Sequence, residues 1–267
     1  MITFTPLYTY CAGPQTALAH PSSPSSTRVP TRILTRILTR ILTLGETVGT
    51  PGEHAPTAVG TMHGLVCQKP QPDADSLADA AERTIDQLHA QGDEGAESAT
   101  VVTACGTDDE LLVGHAGDCR AYLFNPYAHR LLFRSTDHSA VQEAVKAGIL
   151  TPEEARTNPH RHRLTSCLTG CCRTACFTVD RLKVATGDRL LLCTPALSYA
   201  LTDADLCTMV VEQPLPDAFA QLRQLCQERA LHRAAFMLCG IDQPNTAAER
   251  WENKAFLGRM VARWNWQ

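Results

Sequence analysis

Residues 160 to 176 carry four thiols and two imidazoles: His160, His162, Cys167, Cys171, Cys172 and Cys176. Thiolate sulfur and imidazole nitrogen are the ordinary ligands of a tetrahedral zinc ion, so this stretch is a candidate zinc cluster. Its spacing is not the paired C-x2-C knuckle that makes a zinc assignment specific. The adjacent Cys171 and Cys172 are alternatively a redox-sensing pair, and unpaired thiols in the core are the plainest reading of all. A second group is harder in character. Glu46 and Asp118 supply carboxylate oxygens. His54, His63, His115 and His232 would make a softer site with them, although lone histidines are more often surface or hydrogen-bonded core residues. Arg28, Arg32 and Arg36 are candidates for holding a phosphate, or equally one solvated strand face. No Gly-rich phosphate loop, Walker sequence or Ser-His-Asp order competes with these groups.

Composition narrows the classes. The 267 residues can bury a core of one ordinary domain. Lys and Arg number 24 against 28 Asp and Glu, a net charge of −4, which excludes a strongly basic nucleic-acid binder. The 12 cysteines are too sparse for a small disulfide scaffold and suit a reduced cytoplasmic protein. Residues 1–27 hold no Lys, Arg, Asp or Glu, and Pro6, Gly13 and Pro14 interrupt any apolar run, so an export signal is not the favoured reading despite the small-x-small look of Ala17-Leu18-Ala19. The longest later uncharged stretch, Leu190 to Thr202, is too short to span a bilayer, so no membrane association is expected.

The elements that must position these groups follow from periodicity. Pro21 to Pro30 reads as a flexible lead-in, and Thr31 to Leu42 repeats Thr-Arg-Ile-Leu three times, whose β-branched content favours a strand. Ser76 and Asp79 resemble a helix start, with Leu77, Ala81, Ile85 and Leu88 at helical spacing, and Gly92 and Gly95 ending the helix. Apolar runs at Ala99–Cys105, Leu111–His115, Ala121–Phe124 and Leu131–Phe133 form a meander. Asp137 to Ala147 reads as a helix stopped by Gly148, and Thr151-Pro152-Glu153-Glu154 starts another. Ala175–Val179 and Arg189–Cys193 bracket a Gly187-Asp188 turn. Asp203–Val211, Pro216–Arg229 and Ala247–Trp264 read as helices, and Ala234–Ile241 as a strand. Runs of strands broken by groups of helices predict an α+β fold of antiparallel sheets covered by helices.

One segment then becomes specific. Gly117-Asp118-Cys119-Arg120-Ala121-Tyr122-Leu123 resembles the Gly-Asp-Ser-Arg-Ala-Tyr-Leu segment of the PPM-type, 2C-class, metal-dependent serine/threonine phosphatases in their compact bacterial form. The similarity runs on through Asp137 to Gln142, Ala147 to Arg156, Asn158 to Thr165 and Gly187 to Cys193, in order and spacing. The resemblance implies two antiparallel β-sheets in a sandwich flanked by helices, with aspartates between the sheets holding two Mn or Mg ions. Those ions would generate a hydroxide and neutralise phosphoryl oxygens.

The ligand positions implied by the resemblance are largely replaced. Ile33 falls loosely where the first Asp is expected, and no Asp occurs before Asp73. Glu46-Thr47 stands for the Asp-Gly of the second motif, followed by Gly52-Glu53-His54-Ala55. Thr194-Pro195-Ala196-Leu197 stands for Ser-Asp-Gly-Leu, which puts Pro195 at a metal position. His232-Arg233 stands for the final Asp-Asn, so His232 takes the Asp position and Arg233 places a cation next to where a metal would sit. Asp118 matches a position tied to a third, weaker metal, and equally suits a tight turn for structural reasons.

The expectation is therefore a lead-in over 1–30, a phosphatase-like domain over 31–242 and a C-terminal helix over 243–267. The domain would be a pseudophosphatase without cofactor, a regulatory or binding module in serine/threonine phosphorylation signalling, with a kinase or phosphoprotein as partner. The alternatives are an active phosphatase with an altered Mn or Mg site, and a zinc-holding Cys/His scaffold.

Overall fold

The computed structural model describes residues 2–12, 16–19, 40–48, 55–69, 71–90, 98–108, 110–169 and 176–242. The Arg28, Arg32 and Arg36 stripe, Ile33, His54, Cys171, Cys172 and the predicted C-terminal helix lie outside them.

Eleven strands are present among the described residues: β1 (Thr3–Cys11), β2 (Thr16–Ala19), β3 (Ile41–Val48), β4 (Ser98–Gly106), β5 (Leu111–Ala116), β6 (Arg120–Asn125), β7 (Arg130–Arg134), β8 (Leu168–Thr169), β9 (Thr178–Leu182), β10 (Arg189–Cys193) and β11 (Ala235–Asp242). Seven helices accompany them: α1 (Ala55–Cys67), α2 (Ala74–Ala90), α3 (Ala140–Lys146), α4 (Pro152–Thr157), α5 (Pro195–Ala200), α6 (Asp203–Val211) and α7 (Leu215–Glu228). The strands form one sheet ordered β1-β11-β10-β6-β7 and a second ordered β2-β3-β4-β5-β9, with β8 added against β4. Every pairing between named strands is antiparallel. The expected α+β sandwich is the observed architecture.

Strand alternation builds the layers. Ala121, Leu123, Leu190, Leu192, Met237 and Cys239 face inward from the first sheet, against Leu42, Leu44, Val102, Ala104, Leu111 and Val113 from the second. The opposite positions, Tyr122, Phe124, Leu191, Cys193, Phe236 and Leu238, pack under α5, α6 and α7. Val101, Leu112 and Ala116 point outward from the second sheet onto α1 and α2. Both faces of each central strand are covered, which is why these strands read as continuous apolar runs such as Leu190-Leu191-Leu192-Cys193.

Several expectations need correction. Residues 3–11 belong to the sheet and not to a lead-in, because β1 pairs with β11 from Thr3–Asp242 to Cys11–Ala235. Ile2 and Phe4 enter the inner core, while the Tyr8 ring lies 5.2 Å from Phe219 and the Tyr10 ring 5.3 Å from Phe236. Helix α2 begins three residues before the expected start. Asp73 Oδ1 accepts the Ser76 N–H at 2.8 Å and Ser76 Oγ accepts the Asp73 N–H at 2.7 Å, a reciprocal cap. Helix α1 has no clear local signature: it carries no charge and includes Gly60 and Gly64. Burial of Ala58, Val59, Met62, Leu65 and Val66 against the second sheet overrides that poor propensity.

Candidate functional site

Four chain segments that are far apart in sequence meet at one end of the sandwich. The first is β3, a strand with Gly45 where its backbone runs close to Thr100 and Val59, and Glu46 next to it. The second is the β5–β6 turn. Gly117 there adopts φ +96°, a left-handed conformation that favours glycine, and turns the chain so that Asp118 is buried at 4% exposure. The third is the start of α5. The Thr194 hydroxyl donates to the Arg233 carbonyl at 3.1 Å and accepts the Ala235 N–H at 2.9 Å, which ties it to the fourth segment, the turn before β11. The segments that the resemblance assigns to metal ligation are therefore neighbours.

Their side chains engage each other as follows. Arg233 Nε donates to Glu46 Oε1, and the two side chains are 45% and 9% exposed. Burial pushes the Glu46 carboxyl up, and the Arg233 charge and hydrogen bond pull it back down. The other oxygen, Glu46 Oε2, is buried without a hydrogen-bond partner among the described residues. Asp118 is pushed up to about 7, first by burial and then by the charges of Asp137 and Glu46. The Tyr199 hydroxyl, from α5, lies 3.2 Å from Asp118 Oδ2 and 3.2 Å from the Arg161 carbonyl, so one hydroxyl bridges the turn and the loop after α4. The Arg161 and Arg120 guanidinium groups each lie 5.5 Å from the Tyr199 ring centre, and the His162 ring meets its edge at 5.2 Å. Beneath them Arg120 Nε and Nη2 each donate at 2.7 Å to the two oxygens of Asp137, a forked buried ion pair.

The remaining candidates are placed elsewhere or do not gather. His232 is exposed and Pro195 is the buried first residue of α5. Thr47 follows Glu46 on β3. His63 contacts Thr43 Oγ1 at 3.2 Å and the Cys67 thiol at 3.5 Å. His115 stacks on His138 with ring centres 4.9 Å apart. His160, His162 and Cys176 are exposed and Cys167 is half-buried. Among the described residues, no three His, Cys, Asp or Glu side chains gather as metal ligands. Cys119, at the resemblance's Ser position, is buried with its thiol 2.9 Å from Thr100 Oγ1, and burial raises its pKa far above the usual thiol value. Tyr199, Arg161 and the Arg120–Asp137 pair are site residues that spacing alone does not single out.

Two antiparallel sheets with helices on their outer faces are the features that comparison extends. The serine/threonine phosphatase MsPP from Mycobacterium smegmatis, solved with cacodylate, superposes with a TM-score of 0.70 over 91% of this chain and 100% of that one, at 21% identity. Stp1 from Staphylococcus aureus gives 0.71 over 90% and 95%, at 19% identity. The chain has the PPM-type phosphatase fold. Its relatives by sequence are of the same kind. The serine/threonine protein phosphatase PstP of Mycobacterium tuberculosis is 31% identical over 140 residues, 50% of this chain and 26% of that protein. PhpP of Streptococcus pneumoniae is 31% identical over 111 residues, 41% of this chain and 44% of that protein. The matched segments thus span less than half of these relatives. No protein-family model matches the chain.

The catalytic domain of PstP has been solved with two manganese ions. Two hard cations need a set of oxygen ligands around each. Here the described residues offer Asp118 and the one unpartnered oxygen of Glu46, while the other Glu46 oxygen is taken by a guanidinium. That donor set does not fit a two-metal centre. Among the described residues no helix is long and apolar enough to cross a membrane.

Proposed function

We propose that this PPM-fold chain is a cytoplasmic binding or regulatory module in serine/threonine phosphorylation signalling, one that docks a kinase or phosphoprotein without turning phosphate over. The observation that carries this reading is the Glu46–Arg233 ion pair. A fixed guanidinium satisfies the carboxylate that would otherwise ligate a cation, and it cannot activate water as a metal does. Pro195 and His232, at two further ligand positions of the resemblance, point the same way. The test is metal analysis together with turnover of a phosphoserine peptide in Mn or Mg. The expected result is no stoichiometric metal and no turnover; about two ions per chain with turnover that is lost in Asp118→Asn would overturn it.

One observation favours a second reading, an active phosphatase with an altered metal site: Glu46 Oε2 is buried and unpartnered among the described residues, and the Glu46 charge is near enough to help raise the Asp118 carboxyl. That reading predicts a metal-dependent rate abolished by Glu46→Gln.

A further inference from the structure

We propose that Cys67, with His63 as its base, is a modification site at which a hydroperoxide converts the thiol to a sulfenic acid. The inference does not depend on whether the four-segment site turns phosphate over, because neither side chain belongs to that site.

The pair stands on the C-terminal turns of α1. Residues four apart on a helix are surface neighbours, and His63 Nε2 lies 3.5 Å from Cys67 Sγ. The hydroxyls behind the ring fix which nitrogen carries the proton. The Thr103 hydroxyl donates to the Leu42 carbonyl at 3.0 Å. Its single proton is thereby committed, so at the 2.9 Å contact between Thr43 and Thr103 the donor is Thr43. Thr43 has then committed its own proton, and at 3.2 Å its oxygen accepts from His63 Nδ1–H. A neutral imidazole protonated at Nδ1 has its lone pair on Nε2, the nitrogen that faces the thiol. Thr43 and Thr103 are fully buried cross-strand partners on β3 and β4, so the sheet itself holds this relay. A nucleophile, a base within its reach and a third group orienting the base are the parts that activate a weak nucleophile.

The thiol needs that base. Cys67 is exposed, so a small oxidant reaches it. The protein packed beneath it nevertheless pushes its pKa up. It is also the last residue of α1, at the carbonyl end of the helix, where negative charge is disfavoured. The resting form at neutral pH is therefore the thiol, whereas the nucleophile is the thiolate, so the proton must leave as sulfur attacks. In this step Nε2 takes the thiol proton while sulfur attacks one peroxide oxygen. The S–O bond forms, the O–O bond breaks, and the departing oxygen takes the proton from Nε2 and leaves as water or an alcohol. Sulfur is oxidised by two electrons, the peroxide is reduced by two, and the imidazole ends neutral. Cys105 is near enough to feel the Cys67 charge, but it is buried on β4 and burial pushes its thiol up to about 12, so the oxidant meets Cys67 first.

The test exposes the reduced full chain to hydrogen peroxide, traps sulfenic acid with dimedone and locates it by peptide mass mapping. The expected result at pH 7 is trapping at Cys67 in the wild type and its loss in Cys67→Ser. His63→Gln is expected to slow trapping at Cys67 by about tenfold or more. That deficit should narrow at pH 9, where hydroxide ionises the thiol without help from a base. Thr43→Val, which removes the acceptor that keeps the ring proton on Nδ1, is expected to fall between. Thr43→Ser, which keeps the hydroxyl, is expected to match the wild type. Melting curves confirm that each variant folds. An unchanged rate in His63→Gln overturns the proposal, as does sulfenic acid at another cysteine ahead of Cys67, or no trapping at Cys67 in the wild type. An equal deficit at pH 7 and pH 9 makes the His63 role structural and overturns its part as the base.

Discussion

Arg233 donates its Nε–H to Glu46 Oε1 across the end of the sandwich, joining the turn before β11 to β3 over 187 positions of sequence (233 minus 46). Glu46 is 9% exposed and Arg233 45%, so the pair is half-desolvated. Removing one partner leaves a buried carboxylate uncompensated, while solvent access to the arginine limits the loss. Arg233→Gln is expected to destabilise the fold by about 1–2 kcal/mol at neutral pH. Adding Glu46→Gln should recover part of that, because the stranded charge is gone. Urea unfolding of the two single variants and the double variant measures the coupling. Strict additivity would show that the pair contributes nothing.

A deeper ion pair lies beneath it. Arg120 and Asp137 are 11% and 4% exposed and share two 2.7 Å hydrogen bonds, with a third from Arg120 Nη1 to the Tyr122 hydroxyl at 3.1 Å. Both charges have left water, so breaking the pair on one side costs about 3–5 kcal/mol. Arg120→Ala and Asp137→Asn should each lower the unfolding free energy obtained from urea titration by that amount. Arg120→Lys should restore little, since an ammonium cannot fork onto both carboxylate oxygens. A lysine variant as stable as the wild type would show that charge alone, and not the fork, holds the site together.

The two sides of this site differ in how far the sequence reveals them. The run from Ser98 to Arg134 is legible because strands buried on both faces show as unbroken apolar stretches with Gly and Asp between them. The helix start at Thr151 is equally local and is observed at the expected residue with a capping box, and Thr202 caps α6 in the same way. Strand β1 escapes because its tyrosines look polar until Tyr8 is seen against Phe219 and Tyr10 against Phe236. The partnership of Glu46 with Arg233 and that of Tyr199 with Asp118 are long-range contacts that no spacing encodes. The motif resemblance aligns Glu46 with a metal position and Arg233 with the residue after one; only the folded backbone turns the two side chains toward each other.

The β5–β6 turn depends on Gly117 for two separable reasons. Its φ of +96° is strained for any side chain, and an added Cβ would fall 2.6 Å from Thr100 Cγ2. Gly117→Ala is expected to cost about 2 kcal/mol or more. Thr100→Ser removes the clashing methyl while keeping the hydroxyl that faces the Cys119 thiol at 2.9 Å. Thr100 Cβ would still lie 2.7 Å from the added Cβ, so the combined variant should recover only part of the steric cost and none of the conformational part. Full recovery in thermal melts would assign the whole cost to the clash.

His138 gives the fold a dependence on acid. Its Nδ1 accepts the Gly117 N–H at 3.3 Å, and its Nε2 lies 2.9 Å from Thr178 Oγ1. Burial first, then the charges of His115 and Lys146, lower its pKa to about 4, against the opposing pull of Asp137 and Glu143. Asp180 lies 3.4 Å from the stacked His115 on the β9 side. An unfolded histidine takes its proton near pH 6.5. Between about 6.5 and about 4 the unfolded chain therefore binds more protons than the folded one, and stability falls as pH falls through that window. The stabilisation is complete above the unfolded value. Because the ring is only half-buried, the expected loss is about 1 kcal/mol rather than the full linkage figure. Glu46 and Asp118, whose pKa values are raised, drive stability the other way, so the informative quantity is a difference between proteins. Urea midpoints of the wild type and His138→Gln, taken at pH 7 and pH 5, should show the wild type losing more on acidification. Equal losses in the two proteins would remove His138 as the source.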